Sequence, residues 1–490
     1  MFALIQDGNV FSPPPTPSPT PYSSSDCKSI RDVQGNGSSS NFVGQIVNFC
    51  GVFVTSVVYN GFFIQEIVSS TETQTSSSGI FVYDPSSYKD SLTEGNEIDI
   101  SGRISEYYGL TQLTMDTSIV KVGNNHFFEP VYLNLPVDNM DDYEKYESMV
   151  VQIKPTSSND IVVSEYYNFD RYGEVVVCSV DKSRGRLYQF TENSVPDISG
   201  YNDHVSVVER SCITIDDNQS SQNPNPALFG SIYALDSSNY LRGGSNVTVL
   251  KGPLWYSFGK WRVATLKEED LTVVTTNPRQ QVPTVFGDIK VTNANLLNYF
   301  LTLGSRGADD SIEFGRQASK TVQALSEINP DILGVQELEN VSGNGAAMDL
   351  VSRMNAILPG RKYTFASIAA GFDTIGTDVI KVDVMFDQNK FSFLGAAQLT
   401  DADVDAELLT SSTTGAIFNG ASRVPLAVSL KSTSSSGHIL TVVANHFKSK
   451  GDFGGGASGL DKDSNDGAGN YNHMRLLSSR ALLQWLSSEP

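Results

Sequence analysis

The chain has 490 residues, too many for one ordinary hydrophobic core, so several domains are expected. Hydrophobic residues make up 39% and charged residues only 18%, and no apolar run reaches the roughly 18 residues of a membrane helix, which excludes that class. The formal net charge is −21. A protein that holds polyanions by bulk charge is basic. A nucleic-acid partner here therefore needs a bound divalent cation and a few local Arg and Lys to offset the repulsion.

The segment 12–25, SPPPTPSPTPYSSS, is a Pro/Ser/Thr linker that cannot build a core, and residues 1–27 are assigned to it. The opening MFALIQDGNVF lacks the basic start and long apolar stretch of a secretory leader. Four cysteines follow along the chain: Cys27, Cys50, Cys178 and Cys212. No CxxC pair is present, which argues against zinc. An even count fits two disulfides in an oxidising compartment. Three pairings are open, with Cys27–Cys50 and Cys178–Cys212 preferred because each then stays in one domain; buried free thiols are the alternative. Asn36, Asn218, Asn246 and Asn340 stand in glycosylation sequons compatible with secretion.

Residues 28–125 read as short strands at 44–58, 62–67, 79–83, 97–105 and 111–115. Asn60-Gly61 is a hairpin signal. Closely spaced short strands with turns between them predict a small barrel. Tyr107 and Tyr108 are candidates for stacking on bases. Residues 126–280 form a second β-rich stretch without a catalytic constellation; Asp216 and Asp217 read as a turn rather than a cation site. From about residue 285 strands alternate with helices. Residues 311–328 are an amphipathic helix, with Phe314, Ala318, Val322, Leu325 and Ile328 on one face, stopped by Asn329-Pro330. A buried strand at 331–336 follows, then a helix at 346–358 with Leu350, Met354 and Ile357 inward. Strands at 379–387, 424–430 and 440–445 and a helix at 472–486 complete an α/β sandwich.

Three polar residues follow apolar runs in this last region: Asn295 after 289–294, Glu337 after 331–336, and His446 after 440–445. Ends of strands are where open α/β sheets place their sites. Carboxylate and amide oxygens suit hard Mg²⁺, and His is the usual proton carrier. Each alone reads more often as a surface or structural residue; together they are the residue types that phosphodiester cleavage needs.

The pieces GFFIQE, GIFVYD and ISGRISEYYGLTQL, then LLNYF, RGA (306–308), EFGRQ, GVQELEN, NHFKSK and DGAGNYNHMR, resemble in order the ExeM/NucH-type extracellular nucleases. These belong to the endonuclease/exonuclease/phosphatase, or deoxyribonuclease I-like, superfamily. The resemblance covers nearly all of residues 40–490. It implies a multidomain chain: an OB-fold-like β domain at 28–125, a second β-rich domain at 126–280, and an incomplete endonuclease/exonuclease/phosphatase α/β sandwich at 285–490. It implies Asn295 and Glu337 as holders of Mg²⁺ (or Mn²⁺ or Ca²⁺). It implies His446 as donor to the leaving oxygen or phosphate, Arg423 beside the substrate, and Asp378 as support for the His. Asn298, Lys448, Lys450 and Arg475 are the expected contacts to backbone phosphates. The expected function is secreted, metal-dependent hydrolysis of DNA, or of RNA. The family's GDxN motif and late Asp-His pair do not occur after His446, so this form is expected to be inactive or nearly so. A phosphatase on the same fold and a non-catalytic nucleic-acid-binding protein are the alternatives.

Overall fold

The computed structural model describes residues 26–488, except 70–72, 116–118, 124–125, 127, 220, 224–227, 230–232, 235–240, 419–421, 435–436 and 453–454. The expected linker at 12–25 lies outside the described residues. Two compact units are formed: one takes the chain to Gln189 together with Asp203–Pro278, the other Phe190–Asn202 together with the chain from Arg279.

In the first unit, β1 (Ile46–Val58), β2 (Gly61–Gln65), β3 (Gly79–Tyr83), β4 (Glu97–Tyr107) and β5 (Leu110–Met115) pair in the order β1-β2-β3-β5-β4, and β4 pairs back onto β1. The result is a closed five-stranded barrel, the architecture expected of an OB-like module. Alternation along the strands sends Phe49, Phe62, Ile64, Ile80, Val82, Ile100 and Leu113 into its core. The first hairpin turns on Tyr59-Asn60, with Gly61 already paired to Val58, one residue earlier than Asn60-Gly61 suggests. β6 (Val120–Gly123) adds to β4.

A second sheet contains β7 (Val131–Leu135), β8 (Val150–Pro155), β9 (Asn159–Glu165), β10 (Val175–Asp181) and β11 (Cys212–Asp216). Beyond a short hairpin of β12 (Leu228–Phe229) and β13 (Tyr233–Ala234) come β14 (Asn246–Ser257), β15 (Lys260–Ala264) and β16 (Leu271–Val274). The long β14 pairs with β8, β9, β15 and β16, which curls the sheet onto itself around Val163, Val177, Ile215, Leu254 and Val263. Phe63, Phe81 and Trp255 pack together, so the barrel and the second sheet share a small core cluster. Disulfides join Cys27 to Cys50 and Cys178 to Cys212. The sequence reading missed the helix Ile198–Ser211, because its residues are mostly polar and show no wide apolar stripe.

In the second unit, β17 (Val291–Tyr299), β18 (Ile332–Glu339), β19 (Tyr363–Phe365) and β20 (Ile380–Asp387) form a sheet ordered β17-β18-β20-β19. A second sheet is made by β21 (Phe391–Gln398), β22 (Leu426–Ser432) and β23 (Ile439–Ala444). β20 is buried on both faces. Val382, Val384 and Phe386 meet Leu426, Val428 and Leu430 between the sheets. Met385 instead joins Leu333, Val335 and Leu338 against Ala318, Val322, Leu325, Leu350 and Met354 of two helices. Each such Leu or Val stabilises the fold by about 1.5–3 kcal/mol on burial.

The first helix spans Ser311–Ile328, capped by Asp310, whose carboxylate accepts from the backbone N–H groups of Ile312 and Glu313 at 2.8 and 2.9 Å. It ends at Asn329 in a left-handed conformation (φ 51°), ahead of Pro330. The second helix, Gly345–Ile357, buries Leu350 and Met354 but leaves Ile357 48% exposed. Ile357 is thus not a core residue as its spacing suggests; it is the helix's last residue, past the sheet contact. Among the described residues no helix is long and apolar enough to cross a membrane.

Candidate functional site

The parallel pairing of β17 and β18 runs regularly to Asn295 opposite Gln336, then slips before Tyr299 meets Leu338. The β18–β20 ladder slips at the same level, between Val335 and Leu338. Leu297, Asn298 and Glu337 stand at φ 54°, 55° and 61°. Left-handed backbone at non-glycine residues costs about 1–3 kcal/mol each and persists only where neighbours enforce it. Here they do. The Asn295 side-chain amide donates to Glu337 Oε1 at 3.0 Å, the Asn298 backbone N–H donates to Glu337 Oε2 at 3.1 Å, and the Leu297 N–H donates to Asn295 Oδ1 at 2.9 Å. Behind them the buried Glu339 carboxylate accepts from Leu301 N–H at 2.8 Å and Thr302 N–H at 3.3 Å, fixing the chain that leaves β17. Asn295 and Glu337 therefore lie inside bulged strands rather than after them.

His446 follows β23 by two residues, and its Nε2 lies 3.7 Å from Glu337 Oε1. Its backbone carbonyl accepts from Arg423 N–H at 3.3 Å. Arg423 Nε in turn lies 3.2 Å from Asp378 Oδ2. That contact is an ion pair without a linear hydrogen bond, since the buried Nε–H has no aligned acceptor. Asp378 sits on a loop pinned by Asn340. The Asn340 amide donates to the carbonyls of Ile375 and Asp378 at 2.9 and 2.8 Å and accepts from Ile375 N–H at 3.0 Å. Gly376 in that loop has φ 61°, and a Cβ there would stand 2.6 Å from Val424 Cγ2, beside Arg423. Only glycine fits. Arg306 reaches in from the other side, donating from Nε to Asn298 Oδ1 at 3.0 Å.

Burial pushes the His446 pKa down, the positive charges of Arg423 and Arg306 add to that, and Glu337 and Asp378 oppose it. The imidazole is therefore neutral near pH 7, with Nδ1 buried and without a partner among the described residues. Burial also lowers the Arg423 pKa, against the pull of Asp378.

The structure thus gathers Asn295, Asn298, Glu337, Asp378, Arg423 and His446. The remaining sequence-expected residues are turned elsewhere. The Lys448 ammonium lies 4.7 Å over the Tyr471 ring. Lys450 Nζ donates to Thr191 Oγ1 at 3.4 Å. The Arg475 guanidinium donates to the carbonyls of Asn470 and Ala468, both at 2.8 Å, and so braces its own loop. In the first unit, Asp216 pairs with the buried Arg262 at 2.8 Å. Tyr107 and Tyr108 are 60% and 80% exposed at a hairpin tip. Sequence reasoning missed the parts played by Arg306, Glu339 and Asn340. Asn340 stood out only as a sequon. Its buried amide, engaged at both ends, offers nothing for a glycan in the folded chain.

Among the described residues no group of three or more His, Cys, Asp or Glu side chains converges tightly enough to hold a metal by itself. The chain offers one carboxylate and one amide, both oxygen donors with lone pairs to spare. That set fits Mg²⁺, which keeps several waters and is often held by one or two carboxylates plus substrate phosphate. It does not fit Zn²⁺, which takes three or four protein ligands.

No protein-family model matches the chain, and no curated protein matches it in sequence. Among solved structures it is similar to the human Nocturnin catalytic domain with bound sulfate, at 18% identity over 41% of this chain and 58% of that one, TM-score 0.25. It is also similar to an endonuclease/exonuclease/phosphatase from Bacteroides vulgatus, at 13% identity over 42% and 62% of the two chains, TM-score 0.26. D. rerio TDP2 humanized by 14 mutations is a third, at 12% identity over 41% and 57%, TM-score 0.24. The chain spans less than two thirds of each of these structures: 58%, 62% and 57%. The functional reading therefore rests on the side chains.

Proposed function

We propose that the second unit carries a divalent-metal-dependent phosphodiester hydrolase site of the ExeM/NucH type, acting on nucleic acid in an extracellular setting. One observation carries the reading. A carboxylate on left-handed backbone with an amide donating to it, a histidine and an arginine backed by an aspartate converge at one end of a β-sandwich. Glu337 and Asn295 would hold Mg²⁺, which supplies charge to stabilise phosphate oxygens. A neutral His446 acts as a hydrogen-bond donor to a phosphate oxygen rather than as a pre-charged acid. Arg423, oriented by Asp378, donates a planar fork to the same phosphate. Arg306, anchored on Asn298, adds a second guanidinium beside it. Arg423, paired with Asp378, and Arg306, held by the neutral Asn298, set guanidiniums next to the metal position, as a polyanion needs from a chain of net charge −21. The two disulfides support an oxidising compartment.

Mg²⁺ titration of the chain and of Glu337→Gln tests this, reading thermal unfolding and loss of supercoiled plasmid separately. Mg²⁺ is expected to raise the Tm of the parent chain and not of the variant. Any plasmid cleavage is expected to fall at least about 100-fold in the variant. An equal Mg²⁺ response in both proteins would sink the proposal.

A further inference from the structure

Cations are scarce in this chain, with 34 Lys and Arg against 55 Asp and Glu. Lys182, Arg184 and Arg186 nevertheless fall together in the turn after β10. They line a cleft of about 860 Å³ in the first unit, together with Asn246, Thr276 and Asn277. That volume lies in the range of ligand sites. Neither guanidinium pairs with a carboxylate among the described residues; they lie 5.3 and 4.6 Å from the centre of the Tyr188 ring.

The acidic residues at the rim are already committed. Asp181 Oδ1 accepts from the Ser183 N–H at 2.8 Å. Asp160 lies 3.8 Å from Lys182 Nζ and accepts from the Asn246 amide at 3.4 Å. Lys182 is further held by the Ser157 carbonyl at 3.0 Å. Lys182, Arg184 and Arg186 against Asp160 and Asp181 leave the cleft one positive charge in surplus, with Asp181 attracting Arg184.

We propose that this cleft is a second, non-catalytic binding site for single-stranded nucleic acid. The two guanidiniums take backbone phosphates, since a free planar fork matches phosphate oxygens. The guanidinium planes, beside the Tyr188 ring that lies just outside the cleft lining, offer flat surfaces to unstacked bases. Asn246, Thr276 and Asn277 add neutral hydrogen-bonding groups that suit a polar ligand without repelling it. The choice of a polynucleotide over other polyanions rests on the proposed function; the cleft itself does not.

The test is fluorescence anisotropy of a short fluorescein-labelled oligothymidylate, titrated with the full chain in EDTA across a range of salt. Arg184→Ala/Arg186→Ala is expected to weaken binding about tenfold or more and to lower the salt slope by about 1–2. Arg184→Lys/Arg186→Lys keeps the charge and is expected to keep the slope. Unchanged affinity and slope in the alanine variant overturns the inference, as does loss of slope in the lysine variant, which traces the effect to folding. Equal displacement by a heparin fragment overturns the assignment to nucleic acid. The two readings fail separately. Oligonucleotide binding that persists while the Mg²⁺ response at Glu337 is absent counts against the catalytic site alone. A normal Mg²⁺ response with no effect of the alanine variant counts against this cleft alone.

Discussion

Asn340→Asp isolates the clamp that places Asp378. The substitution conserves shape but replaces an –NH₂ that donates to two carbonyls, at 2.9 and 2.8 Å, by an oxygen facing the same acceptors. Two hydrogen bonds are lost at about 1 kcal/mol each, and buried acceptors left unmade cost about 1–3 kcal/mol more. The expected destabilisation is about 3 kcal/mol at pH 7. A carboxyl group among acceptors is favoured when protonated, so its folded pKa lies above its unfolded value near 3.9. The stability retained by the protonated form is present below that unfolded value and is lost as pH rises through the folded one. The deficit should therefore be small near pH 4 and reach its full size once the folded-state group has ionised. Urea unfolding followed by pulsed hydrogen exchange, read on peptides from residues 340–387, gives the value for this unit alone. A deficit below about 0.5 kcal/mol at pH 7, or one that does not change with pH, refutes the reasoning. The same variant should also loosen Arg423, because Asp378 Oδ2 lies only 3.2 Å from it.

Two further predictions concern buried charge. Burial and the neighbouring Glu144 push the pKa of the fully buried Glu147 well above normal, and Glu144 itself is pushed up to about 7. Raised carboxyl groups contribute stability below the unfolded carboxylate range and lose it as pH rises. Thermal melts should then show Glu147→Gln gaining on the parent between pH 5 and pH 8; a gap that stays constant with pH would exclude this. Lys381 Nζ lies 3.5 Å from Asp383 Oδ2, with both side chains fully buried on β20. Lys381→Met should cost about 3–5 kcal/mol by stranding the aspartate, and adding Asp383→Asn should recover most of it. Urea unfolding in which the double variant is no more stable than the single would contradict that account.

The elements legible in the sequence are those whose signal is local. The helix Ser311–Ile328 is read to the residue, because its apolar spacing and the Asn329-Pro330 stop agree. β20 and β23 were placed within a residue or two for the same reason. Asn295, Glu337 and His446 stood out because polar residues interrupt apolar runs there. The helix Ile198–Ser211 was invisible, having only Ser211 buried along its length.

What the sequence left dark is the support around the site, since each supporting contact joins residues far apart in the chain. Glu339 holds the segment after β17 across 38 positions, and Asn340 holds the Ile375–Asp378 loop across 35 and 38. Nothing in ELEN announces either role. Arg475 illustrates the converse: a cation in the right segment reads as a phosphate ligand until its hydrogen bonds turn out to be spent on carbonyls. Strain is the most distant signal. No residue type predicts left-handed backbone at Leu297 or Glu337, and both are disfavoured there. They adopt it because two adjacent ladders slip at one level, which turns the Glu337 carboxylate toward Asn295 and His446. The reactive residue types are thus a property of the local sequence, whereas their convergence is a property of the sheet.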